Sequence, residues 1–189
     1  MAPAEEFLRS HGAGSIEHPG GTLLAHLQRV ARVLDGWGAD PDVAAAGLCH
    51  ATYGTDGFGS SLLAVTQREE LAALIGERAE ALVYLYASCD RGYVYPQLGS
   101  GRVVFRDRFT GRSSVPADPE LCAFMEITAA NELDVLAHNA DLAARYGADL
   151  HALFTRSREL LSAPAWAAVG QLAGGFGPGG EPEGEPGVE

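Results

Sequence analysis

Two histidines carry the first chemical signal in this chain. His26 stands in His26-x-x-x-Val30-Ala31-x-x-Leu34, and His50 ends the run Ala44-Ala45-Ala46-Gly47-Leu48-Cys49-His50. Imidazoles 24 positions apart, one on each of two consecutive helices joined by a tight Gly/Pro turn, fall opposite one another. Facing imidazoles either share a hydrogen bond in a core or hold a divalent metal. The run Tyr53-Gly54-Thr55-Asp56-Gly57 follows His50 directly and reads either as a plain turn or as a substrate-facing loop. His18, beside Pro19 and two glycines, lies in a loop able to fold over the same site.

The elements needed to position these residues are legible. Residues 3–11 suit a short helix, and Glu17 to Gly21 a turn. Thr22 is an N-cap for a helix to about Gly36, with Leu23, Leu27, Val30, Ala31 and Leu34 at helical spacing. Asp40 caps the next helix. Further helix is expected near Gln67–Glu70 and from Glu77 to Ser88. Arg91 to Pro116 is the one stretch with strand character, a hairpin or ordered loop around Val103-Val104-Phe105. Asp118-Pro119-Glu120 starts a long helix predicted to reach about Tyr146, where Gly147 stops it, and Asp149 and Ala163-Pro164 open two more. The Gly/Pro/Glu segment 176–189 has too little apolar surface to order itself. The expectation is one all-α domain over residues 1–175, a helical bundle with one small β-hairpin, followed by a disordered tail.

The pattern around the two histidines resembles the HD superfamily, whose members bind metal through a His on one helix, a His-Asp pair ending the next and an Asp on a late helix. It is most similar to the hydrolase domain of the RelA/SpoT alarmone enzymes over about Thr22 to Gly59, with an echo at Thr128 to Asn139. It also resembles an uncharacterised bacterial HD-like family with His-Ser-x-Tyr-Gly-Thr, here His50-Ala51-Thr52-Tyr53-Gly54-Thr55. The resemblance implies an HD-like bundle and a metal held by His26, His50 and Asn131, the residue that aligns with the late aspartate; Asp134 is the alternative at that position. The chain departs from the pattern. Ala51 replaces the HD aspartate, and Gly54 and Thr55 stand where the alarmone hydrolases carry Glu-Asp. His18, Tyr53, Asp56, Glu132 and Asp134 are the substitutes on offer. A nitrogen-rich set including His18 favours Fe, Cu, Ni or Zn over Mg, and the expected cofactor is a divalent transition metal, Fe, Mn, Zn or Cu. Tyr53, Thr55, Asp56 and Glu132 are the candidate catalytic residues, and hydrolysis and oxidation both remain open. The alternative is a degenerate, metal-free HD-like module that binds a ligand or a partner protein.

Charge sets the remaining limits. The formal net charge is -12, and all 13 basic residues are arginines, so lysine chemistry is excluded. A field of that sign disfavours nucleic acid and anionic membrane. Five arginines fall between Arg91 and Arg112, interleaved with aromatics. Arg91, Arg106 and Arg108 are therefore expected to bind a small anionic substrate, and the same stretch serves equally as a homodimer contact. Three cysteines without CxxC spacing argue against a disulfide framework. With neither a signal sequence nor an apolar span, the expected location is cytoplasmic.

Overall fold

The computed structural model describes residues 1–175; the tail predicted to be disordered, 176–189, lies outside them. The protein is predominantly α-helical, with two tiny antiparallel hairpins. Its elements are α1 (Ala2–Ser10), β1 (Glu17–His18), β2 (Gly21–Thr22), α2 (Leu23–Gly36), α3 (Pro41–Cys49), α4 (Arg68–Ile75), α5 (Glu77–Ser88), α6 (Arg91–Val94), β3 (Phe105–Arg106), β4 (Ser113–Ser114), α7 (Asp118–His138), α8 (Ala140–Arg156) and α9 (Ala163–Gly175).

Local chemistry explains the boundaries that matter for the site. Thr22 Oγ1 accepts the Ala25 N–H and starts α2, and Asp40 Oδ1 accepts the Asp42 N–H and starts α3. Each satisfies a donor that the first helical turn leaves unpaired. The turn before α2 is a real hairpin, pairing Glu17 with Thr22 and His18 with Gly21. Gly20 is required there. Its φ is +78°, and a Cβ would lie 2.5 Å from the His138 ring.

α7 is the central helix. It packs on α2, α3, α5, α8 and α9 and buries residues on several faces, among them Phe124, Met125, Ile127, Ala130 and Asn131. The expected single helix to Tyr146 is interrupted at Asn139. That residue is extended (φ -147°, ψ 99°), and its Oδ1 accepts the Leu142 N–H, so it caps a new helix. Asn competes with the helical ladder by bonding its own backbone, and here that local bond wins. Gly147, expected to stop a helix, lies buried within α8, which also runs through Asp149. No helix among the described residues is long and apolar enough to cross a membrane.

Candidate functional site

His26 sits in the first turn of α2 and His50 caps the end of α3. Their rings meet edge to face with centroids 5.3 Å apart, so the start of one helix lies against the end of the next, as antiparallel neighbours require. The β1 hairpin folds back over them. His18 stacks on His26 at 4.0 Å, and Phe58 packs edge-on against His18 at 5.4 Å.

α7 supplies the polar counterpart. Asp134 Oδ2 is 2.7 Å from His26 Nδ1. Arg29, one turn along α2, donates to both oxygens of the same carboxylate at 2.6 and 2.9 Å. Arg29 also donates to the carbonyls of Pro19 and Gly20, which ties the hairpin carrying His18 to the cluster. On the other side of the ring, His26 Nε2 is 3.0 Å from Asn131 Oδ1. Asn131 Nδ2 donates to Glu132 Oε1, and Glu132 in turn pairs with Arg91 at 3.0 Å. Because the Glu132 carboxylate can only accept, it takes the Asn131 amide hydrogen and turns Oδ1 toward His26. Both neighbours of His26 are then oxygens, one at each ring nitrogen, so neither nitrogen faces open space. Asp134, missed as the residue that orients His26, was signalled by spacing: it follows Asn131 by one helical turn, as Arg29 follows His26.

A cavity of about 210 Å³ opens in front of this cluster. His18, His50, Thr55, Asp56, Asn131 and Glu132 line it, together with Arg91. Asp56 is held there because its carboxylate accepts the Arg91 backbone N–H at 2.8 Å. His26, 0% exposed, stands behind His18 and Asn131 and does not line the cavity. Three other expected residues lie elsewhere. Tyr53 turns away, donating to Glu80, a buried carboxylate also gripped by both ends of the Arg68 guanidinium. Arg106 pairs with Asp90 and lies over Tyr93, and Arg108 donates to the Ala87 carbonyl. The hairpin arginines hold their own segment together, and Arg91 is the one that reaches the cavity. It arrives with two carboxylates, Asp56 and Glu132, so the lining is not the cationic surface expected for an anionic substrate.

Burial sets the protonation of the cavity histidines. Desolvation, followed by the charge on His26, pushes His18 down to about 4 and His50 down to about 3. Both are neutral donor-acceptors at neutral pH. Burial works against the Asp134 carboxylate, but the hydrogen bonds from His26 and Arg29 outweigh it and hold the group at about 2. Because the two histidines titrate lower when folded than when unfolded, the unfolded chain binds protons first. Their contribution is complete above about pH 6.5 and is lost as pH falls through that value toward 4 and 3. Thermal midpoints are therefore expected to fall between pH 7 and 5, where ordinary carboxylates stay ionised, and His50→Gln should flatten the slope. A wild-type midpoint independent of pH in that range would contradict the burial assignment. The Asp134 contribution is lost separately, from about 3.8 down to about 2.

The fit to a metal is mixed in geometry and poor in charge. A metal about 2.1 Å from a nitrogen of each of two imidazoles places the ring centres about 5 Å apart, close to the 5.3 Å between His26 and His50. The His26 nitrogens are both engaged, however, and no carboxylate joins Asn131 and the two histidines. Among the described residues no group of three or more His, Cys, Asp or Glu side chains is placed to share an ion. The face-to-face stacking of His18 on His26 sets their ring edges side by side instead of aiming them at one point. As arranged, the donor set does not fit a resident metal. Cys49 and Cys89 are buried, and desolvation pushes both up to about 12, which leaves them inert thiols.

Fold and site together define a mostly helical protein with a polar, histidine-lined cavity between α2, α3, α6 and α7. Residues 7–91 match the model of a family described as a domain of unknown function (DUF6817). The match takes in His18, His26, His50, Asp56 and Arg91 and leaves out the α7 residues. No curated protein and no solved structure matches the chain.

Proposed function

We propose that the chain is an HD-like helical domain that binds a small polar molecule in the histidine-lined cavity without a resident metal. The HD-like frame is supported by His26 and His50 on consecutive antiparallel helices meeting Asn131 from a late one. The observation that carries the metal-free reading is the closure of His26. One nitrogen is engaged by Asp134 at 2.7 Å and the other by Asn131 at 3.0 Å, so its role is to position Asn131 and support His18 from behind. His18 and His50 as neutral imidazoles, Asn131, and the Arg91–Glu132 pair then offer donors and acceptors to a ligand. A second reading, in which a transition metal displaces the His26–Asn131 hydrogen bond and serves hydrolysis or oxidation, is favoured by the ring spacing alone.

Two measurements on untagged, desalted protein decide between them. Nitrogen–proton correlation spectra of the histidine rings are expected to be unchanged by a strong chelator, because no ring nitrogen of His26 or His50 is bound to a metal. Metal analysis by mass spectrometry is expected to give far less than one equivalent, in wild type and in His26→Ala/His50→Ala alike. Near-stoichiometric metal in wild type, lost in the double variant, would overturn the proposal and establish the second reading.

A further inference from the structure

His50 presents an unused acceptor to the histidine cavity. Its Nδ1 lies 2.8 Å from the Gly47 carbonyl oxygen. A carbonyl only accepts, so Nδ1 carries the hydrogen, and Nε2 of the neutral ring is left with a lone pair. That nitrogen has no hydrogen-bond partner among the described residues. The buried side-chain atoms sealed in without a partner there are His18 Nδ1 and the hydroxyls of Thr52 and Tyr95. His50 Nε2 is not one of them, so it touches open space. The residue is only 2% exposed and lines the cavity of about 210 Å³, so the space it touches is the cavity.

The charged groups of the lining point to the same kind of ligand. Asp56 Oδ2 accepts the Arg91 backbone N–H, and Glu132 Oε1 accepts from Arg91 and Asn131, so each carboxylate keeps a second oxygen without a partner. Arg91 has its end nitrogens on Glu132 and the Tyr86 hydroxyl. The Tyr86 and Tyr95 rings hold it in the wall, each 5.6 Å from the guanidinium carbon. Two carboxylates against one guanidinium leave the lining with one negative charge in excess. The chain as a whole, at net charge -12, draws in cations rather than anions. The cavity has the bulk of about seven waters at about 30 Å³ each, room for a head of a few heavy atoms.

We infer that the histidine cavity takes the N–H-bearing cationic head of a small organic molecule, an amidine or amine. His50 Nε2 accepts one N–H, and the Asp56 and Glu132 carboxylates supply the countercharge. The inference rests on the reading that this cavity binds a small molecule, and it names the class. A planar amidinium carries N–H groups on two sides and can serve a ring nitrogen and a carboxylate at once. An anion meets lone pairs where it needs hydrogens.

Acetamidinium, acetamide and acetate test it, being nearly identical in shape and positive, neutral and negative in charge. Each is titrated at matched ionic strength into the wild-type protein, with the His50 Nε2 signal in nitrogen–proton correlation spectra as the reporter. Acetamidinium is expected to shift that signal and to bind about tenfold tighter than acetamide, the gain of charge-assisted hydrogen bonds over neutral ones. Acetate should bind most weakly. Tetramethylammonium, a cation without N–H, should leave Nε2 unmoved. Asp56→Asn and Glu132→Gln should each weaken acetamidinium several-fold and leave acetamide nearly unchanged, and the wild-type series stands whether or not either variant folds. If acetamide or acetate binds as tightly as acetamidinium, if tetramethylammonium moves Nε2 as far, or if both variants fold and keep full affinity, the cationic head is overturned while the small-molecule reading stands. If none of these probes perturbs His18 or His50, both readings fall.

Discussion

Asp134→Ala is expected to lower the unfolding free energy by about 3–5 kcal/mol, the usual consequence of removing one partner from a buried charge pair. Asp134 is 8% exposed and holds His26 Nδ1 at 2.7 Å and the Arg29 guanidinium at 2.6 Å. Its removal leaves Arg29 unneutralised and a fully buried ring nitrogen without its partner. For a domain of this size the thermal midpoint should drop on the order of 10 °C. Circular dichroism melts check the figure, and Asp134→Asn, which keeps the shape but loses the charge, should fall between. The effect should extend beyond stability. Arg29 links the same carboxylate to the Pro19–Gly20 turn, so the variant should also loosen His18 from the cavity wall. A midpoint within 2 °C of wild type would mean that water fully replaces the carboxylate and that the cluster is not the support described.

Gly99→Ala is expected to be the other costly change, by about 2–4 kcal/mol from a left-handed backbone and a collision combined. The Gly99 φ is +84°, and a Cβ there would lie 2.0 Å from the Arg156 carbonyl oxygen and 2.6 Å from its carbon. The obstruction is backbone, so no rotamer change relieves it. Gly101→Ala is the matched control: φ is +101°, with nothing within 4 Å of the added carbon. It should show the conformational strain alone. Urea denaturation of the two variants separates the terms, and equal losses would show that the contact with α8 yields freely. Because Arg156 holds the carbonyls of Tyr95 and Leu98, displacement at Gly99 should also distort the wall carrying Tyr95.

How much of this was readable beforehand depended on the range of the interaction. The caps at Thr22 and Asp40 are local, made within three residues, and short-range side-chain preference was enough to place them. The meeting of His26 with His50 followed from two adjacent helices and a short turn. The break at Asn139 was misjudged because Gly147 looked like the stronger stop, whereas a capping bond to Leu142 settled the matter earlier in the chain. Tyr53 was misassigned for a different reason. Its partner Glu80 is 27 residues away on α5, and nothing in the Tyr-Gly-Thr run indicates that a buried carboxylate will claim the hydroxyl. The arginine cluster misled by density: Arg106 and Arg108 satisfy Asp90 and Ala87 next to them, and only Arg91, at the start of α6, is turned inward by Asp56 and Glu132.

The hydrogen bonds around His26 form an unbroken string from Arg29 through Asp134, His26, Asn131, Glu132 and Arg91 to the Tyr86 hydroxyl, each link having a contact of 3.1 Å or shorter. It carries an ion pair toward each end, Arg29 with Asp134 and Arg91 with Glu132, and all the spacings are far inside the roughly 8 Å over which dissolved ions act at physiological strength. Added salt therefore screens exposed pairs such as Arg78 with Asp40 and Asp42 but barely reaches the string. It does relieve the mutual repulsion of a chain with net charge -12. The protein should accordingly gain rather than lose robustness as ionic strength rises, with the geometry of its cavity unchanged.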